Sequence, residues 1–204
     1  MAEVFVPFYF GLGSRYSYLA ASQLERIELA TGRRFEWLPL QSGELVRRVN
    51  KGRNPFKEEV PSGQYNWDYR QRDAEAWASY YGIPYKEPVE FRTDPSDLAK
   101  ACWAADMHGQ LKTMSQRIFN AIFVEGRAVS RDTLGQLACE IGMVGPEFVT
   151  ALEAPEVVAK HESVLDRAIK DGAFGVPTFV VAGQAFWGND RLPLVEHFLV
   201  HPLG

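Results

Sequence analysis

The chain has 204 residues, 46% of them hydrophobic and 24% charged, with a net charge of −4. That balance belongs to a globular domain with room for a sizeable insertion, and no window approaches the roughly 18 consecutive apolar residues of a membrane span. Acids and bases are interspersed without a basic stripe to neutralise a row of phosphates, so neither a membrane nor a nucleic acid is an expected partner.

In chain order, residues 4–10 (VFVPFYF) are dense in β-branched and aromatic side chains and predict a first strand, although Pro7 favours an edge or irregular position. Residues 1–10 carry neither a basic leader nor a small-residue cleavage site, which makes the cytoplasm the expected compartment. After a turn at Gly11–Ser14, Tyr16, Leu19, Ala20, Leu24 and Ile27 recur at helical spacing until Gly32. Residues 35–40 (FEWLPL) alternate as a second strand. Strand, helix and strand within about 40 residues form a β-α-β unit, whose strands run parallel with a right-handed crossover.

From Gln41 the texture changes, and residues 50–64 form a long Gly-, Pro- and charge-rich excursion of the kind usually functional or mobile. Five or so helices follow: residues 65–81 ending at 82-GIP-84, a segment opened by Asp94–Pro95 with Met114, Ile118 and Ile122 on one face, helices near Ser130 and Pro146, and a last one from Pro155 to Lys170 stopped by Gly172. Strand chemistry then returns at Thr178–Val181 and Ala185–Trp187, joined by a tight turn at Ala182–Gly183, with a helix from about Asn189. The fold class is therefore α/β, a thioredoxin-like fold with a large all-helical insertion: residues 1–42 and 173–204 make the sheet domain and 43–172 the insertion.

The chemistry concentrates at the corner after Gly13. There, C-x-x-C would mark a redox site, and this chain has Ser14 and Ser17 instead. A serine hydroxyl forms no disulfide, which argues against thiol–disulfide exchange. The start of a helix still favours an anion, so Ser14 can hydrogen-bond a thiolate brought by another molecule; an ordinary N-cap explains the same residue. Val176–Pro177 opens a strand, where a cis bond would turn backbone groups toward a ligand and a trans one is plain punctuation. Asn189 and Asp190 either cap the last helix or receive a zwitterionic amino-acid group. Lys51, Arg53 and Asn54 in the excursion either face an anionic substrate or lie in solvent. Cys102 and Cys139 stand apart in helical patterns and are expected to be buried, inert thiols. The four histidines, at 108, 161, 197 and 201, make no metal-ligand spacing, so no metal site is expected.

Taken together, 14-SRYSYLA-20, 53-RNP-55, 174-FGVPTF-179 and 186-FWGNDRL-192, in this order, resemble the 2-hydroxychromene-2-carboxylate isomerase family, which is related to the kappa-class glutathione transferases in the DsbA-like branch of the thioredoxin superfamily. The resemblance covers essentially the whole chain. It implies glutathione as cofactor, a homodimer, and a small aromatic or conjugated hydroxy acid as substrate. Ser14 would hydrogen-bond the glutathione sulfur, and Val176 and Pro177 would pair with the tripeptide backbone. Asn189 and Asp190 would receive its γ-glutamyl end, while Asn54 and, as a looser match, Lys51 would stabilise charge developing on the substrate. The implied chemistry is reversible thiolate addition to a conjugated carbon, bond rotation and elimination. A kappa-class-like transferase and a non-catalytic thioredoxin-like module remain alternatives. Arg15 departs from the family's usual proline after the serine and brings a donor fork to the mouth of the site. A G-L-G opening in place of D-F-x removes an acid nearby.

Overall fold

A computed structural model describes residues 5–53, 66–88 and 95–201. Phe5–Phe10 forms β1, and its aromatic residues explain its central place. Phe8 and Phe10 stack on each other at 4.7 Å between ring centroids, Phe8 stacks on Phe179 at 5.0 Å, and Trp37 meets both edge-on. β1 pairs in parallel with β2 (Arg34–Pro39) and antiparallel with β3 (Thr178–Val181), which pairs antiparallel with β4 (Gln184–Trp187), giving the order β2-β1-β3-β4. The expected β-α-β and β-β-α units are both present, and the thioredoxin-like class stands. Pro7 nevertheless lies in a central strand rather than at an edge. β3 reaches only Phe8 and Tyr9, so Pro7 has β2 on one side and no strand partner on the other, where a missing N–H is tolerated.

The first crossover is two helices rather than one: α1 (Arg15–Ala21) and α2 (Leu24–Thr31). The Ser22 hydroxyl donates back to Leu19 O at 2.7 Å and Gln23 N closes a three-residue turn on Ala20 O, which interrupts the i to i−4 ladder. Leu24 and Ile27 stay fully buried, so the apolar period survives the break. Between the strands lie seven described helices, not five: α3 (Ser42–Val49), α4 (Trp67–Tyr81), α5 (Pro95–Asp106), α6 (Leu111–Phe123), α7 (Arg131–Glu140), α8 (Gly145–Ala151) and α9 (Pro155–Lys170). α3 has no signature in the sequence because it buries only Leu45 and Val46, too few positions to show a period; its outer Arg48 pairs with Glu44 and with Glu162 of α9. The Trp103 indole donates to Pro39 O at 3.0 Å and fastens α5 to the end of β2. Ala182 and Gly183 turn the last hairpin with φ of 50° and 80°, the pairing a two-residue turn requires. Asn189–Arg191 is a 3-10 turn, and the last helix, α10, begins only at Leu192 (Leu192–Val200). Among the described residues no helix is long and apolar enough to cross a membrane.

Of the two thiols, Cys102 is buried as expected. Desolvation pushes its pKa up to about 12, offset in part by a hydrogen bond from Ser115. Cys139 is exposed, contrary to expectation, because it falls on the outer side of α7 where the helix turns away from the core.

Candidate active site

The corner after β1 is organised by two serines with different tasks. Ser17 is fully buried, and its Oγ accepts the Gly11 N–H at 3.3 Å, stitching the turn shut. Ser14 is the N-cap of α1: its backbone is extended, and its Oγ accepts the Ser17 N–H at 3.3 Å. Ser14 is partly exposed, and among the described residues its own O–H proton is committed to no acceptor. A hydroxyl with one lone pair engaged and its proton unspent is an oriented donor.

Three segments converge on this corner. A Cβ on Gly11 would lie 3.1 Å from Ser42 Oγ and 3.4 Å from Val176 Cγ2, so the bare glycine lets β1, the start of α3 and the loop before β3 meet there without displacing a side chain. The Val176–Pro177 bond is cis, and both residues precede the pairing of β1 with β3, which begins at Thr178. The Gly188 N–H donates to Pro177 O at 2.9 Å and locks the following turn to this loop. That turn carries Asn189 and Asp190, and it packs against α1. Gly188 has φ 115°, and a Cβ on it would strike Asp190 Oδ1 at 2.2 Å; glycine lets the half-exposed Asp190 carboxylate fold back over its own backbone. Asn189 is buried, its carbonyl accepts from the Tyr81 hydroxyl at 3.4 Å, and its side-chain Nδ2 has no hydrogen-bond partner among the described residues.

The sequence-derived residues thus divide into three groups. Ser14, Val176, Pro177, Asn189 and Asp190 belong to one connected surface. Lys51 is exposed at the far end of α3, in a left-handed conformation with φ 53°. Asn54 lies outside the described residues. A cavity of about 150 Å³ opens beside the corner, walled by Gly11–Gly13, Leu40, Pro95 and Leu98 with Ser42 as its polar wall. Its place at the carboxyl ends of the two parallel strands is where open α/β sheets receive ligands. Ser42 was not singled out from sequence, although its position directly after β2 was the available signal. A larger groove of about 670 Å³ between α2, α4 and α10 is lined by Trp77, Tyr80 and Tyr81; it holds none of the sequence-derived site residues and touches them only through Tyr81, whose hydroxyl donates to the Asn189 carbonyl. The smaller cavity is the one joined to the serine corner.

Arg15 is not a free fork at the mouth. It is buried, with its guanidinium over the Trp67 ring and paired with Glu87, and Glu87 also accepts from the Tyr85 hydroxyl. Burial, followed by that hydrogen bond, raises the Tyr85 phenol above its ordinary range.

A family model described as a DSBA-like thioredoxin domain matches residues 5–200. A 2-hydroxychromene-2-carboxylate isomerase of Pseudomonas putida is 26% identical over 195 residues, covering 94% of this chain and 92% of that protein. Glutathione s-transferase kappa 2 of Caenorhabditis elegans is 23% identical over 217 residues, covering 97% and 92%. Among solved structures, a 2-hydroxychromene-2-carboxylate isomerase superposes with a TM-score of 0.83 at 23% identity, covering 97% of this chain and 95% of the other.

Proposed function

The chain belongs to the DSBA-like thioredoxin domain family, and from that premise we propose that it is a glutathione-dependent isomerase of the 2-hydroxychromene-2-carboxylate type, acting on an aromatic or conjugated hydroxy acid. One observation carries the reading: where a redox member of such a fold needs a cysteine, this chain holds Ser14, oriented by its cap bond and keeping a proton to donate. The curated isomerases similar to it over nearly the whole chain support the reaction class.

The residues fit a bound tripeptide thiol. The buried Asn189 Nδ2 lacks an acceptor, which a carboxylate or carbonyl of the ligand would supply. The half-exposed Asp190 carboxylate, which now lies 3.6 Å from the Arg191 guanidinium, would receive an ammonium, and the backbone at Val176 lies beyond the strand ladder for an extended peptide to pair with. Glutathione, when bound, would supply a soft nucleophile that adds reversibly to a conjugated carbon and so permits rotation about it. The tasks left to the protein are positional and electrostatic. The Ser14 hydroxyl donates to the sulfur and favours its ionised form. The cavity walls of Leu40, Pro95 and Leu98 exclude water from an aromatic ring, and the Ser42 hydroxyl can meet the substrate's oxygen.

The test is conversion of 2-hydroxychromene-2-carboxylate by the purified protein, followed by absorbance with and without glutathione. Turnover should require glutathione and fall at least about tenfold in Ser14→Ala, equivalent to about 1.4 kcal/mol of barrier. Equal rates with and without glutathione would remove the proposal. The kappa-class relative favours a second reading, conjugation of an external electrophile. A stable glutathione adduct recovered from the reaction would select it.

A further inference from the structure

Arg15 follows Ser14 directly and is 4% exposed, yet its hydrogen bonding is incomplete. Nη2 donates to Glu87 Oε1 at 2.6 Å, the guanidinium carbon stands 4.3 Å from the centre of the Trp67 ring, and Nη1 is buried without a hydrogen-bond partner among the described residues. The usual arginine–carboxylate pair is bidentate, one oxygen to each prong of the fork. Here Glu87 meets only one prong of the fork, and its other oxygen, Oε2, accepts from Tyr85. A charged donor held dry and unmatched is costly, and its cost falls when an acceptor arrives. A second guanidinium, that of Arg70, lies 5.9 Å over the Tyr16 ring; burial and then the Arg15 charge hold its pKa below the ordinary arginine value. Two described carboxylates of this neighbourhood are already engaged: Glu87 by Arg15 and Tyr85, and Asp73 by the Tyr16 hydroxyl.

We propose that the unmatched Nη1 of Arg15 anchors the carboxylate of the substrate acid, making Arg15 the residue that selects acids over their neutral analogues. The proposal rests on the isomerase reading for the substrate's class, but the anchor itself is a property of this chain's own corner. Trp67 and Glu87 hold the guanidinium plane, so an incoming carboxylate meets a fixed donor on the residue that follows Ser14.

The experiment compares wild type with Arg15→Met/Glu87→Gln, which removes both partners so that no lone carboxylate stays buried. Binding of 2-hydroxycinnamate and of its uncharged amide is read by tryptophan fluorescence, and KM and kcat are read with 2-hydroxychromene-2-carboxylate. Wild type should bind the acid more tightly than the amide. The double variant should lose at least about tenfold in affinity for the acid, less than about threefold for the amide, and show the acid's loss in KM rather than kcat. Equal losses for acid and amide, or none for either, overturn the anchor and leave Arg15 a strut between α1 and α4. Loss of acid preference in a protein without isomerase activity keeps the anchor and removes the isomerase reading. Isomerisation with unchanged acid preference does the reverse. Should the double variant fail to fold, Arg15→Lys gives the same comparison, because an ammonium keeps the pair with Glu87 but offers no second prong, and it should show the same selective loss.

Discussion

Ser14 and Ser17 are three residues apart and chemically identical, but folding separates their roles. Ser17 is turned into the protein and satisfies the Gly11 amide; Ser14 stays at the surface with a proton to give. Ser17→Ala would strand a buried N–H and should reduce the unfolding free energy by about 1–3 kcal/mol in urea denaturation. An unchanged midpoint and slope would show that Gly11 needs no partner. The spacing S-x-x-S was enough to locate the corner, because glycines before a helical period mark a turn. It could not tell which hydroxyl faces inward, since that depends on the direction in which β1 enters the turn. The same limit explains Cys139, where a small apolar residue in a helical pattern lies on the exposed side.

Elements were legible where their side chains carry a period or a turn signature. The aromatic run of β1, the Ala182–Gly183 turn and the proline-opened α9 all lie where the pattern puts them. The break between α1 and α2 was not legible, because Leu24 and Ile27 keep the helical period across it while Ser22 diverts the backbone. Pro7 misled in the other direction: a strand can be central and still leave one position without a partner. Helices α7 and α8 depend on something a period does not report. Gly135 and Gly145 let the two helices approach until a Cβ on Gly145 would lie 2.9 Å from Gly135 O and 3.0 Å from Cys139 Sγ. Gly145→Ala should therefore lower stability by about 1–3 kcal/mol through overpacking, visible as a drop in melting temperature. A melting temperature equal to or above that of wild type would mean that the contact relaxes freely.

For the whole molecule, the strand order β2-β1-β3-β4 brings together residues that are far apart in the chain. The carboxyl ends of β1 and β2 supply Gly11–Ser14 and Leu40–Ser42, and the return to the sheet supplies Val176–Pro177 and the Gly188–Asp190 turn. That convergence follows from the parallel first pair and the antiparallel second one, so the sheet-borne part of the candidate site could be read from motifs in sequence. The Arg15–Glu87 pair could not, because the partners are 72 positions apart and Glu87 lies in the irregular segment after α4, where no period or turn signature marks it. We propose that this fold has replaced its own thiol with one carried by glutathione and held by Ser14. The most direct test is a pH titration of thiolate absorbance for glutathione bound to saturation, in wild type and in Ser14→Ala. The bound thiol should ionise below the ordinary value of about 8.5 and move back toward it in the variant. A bound thiol that titrates as it does free in solution, or the same way in both proteins, would contradict the claim.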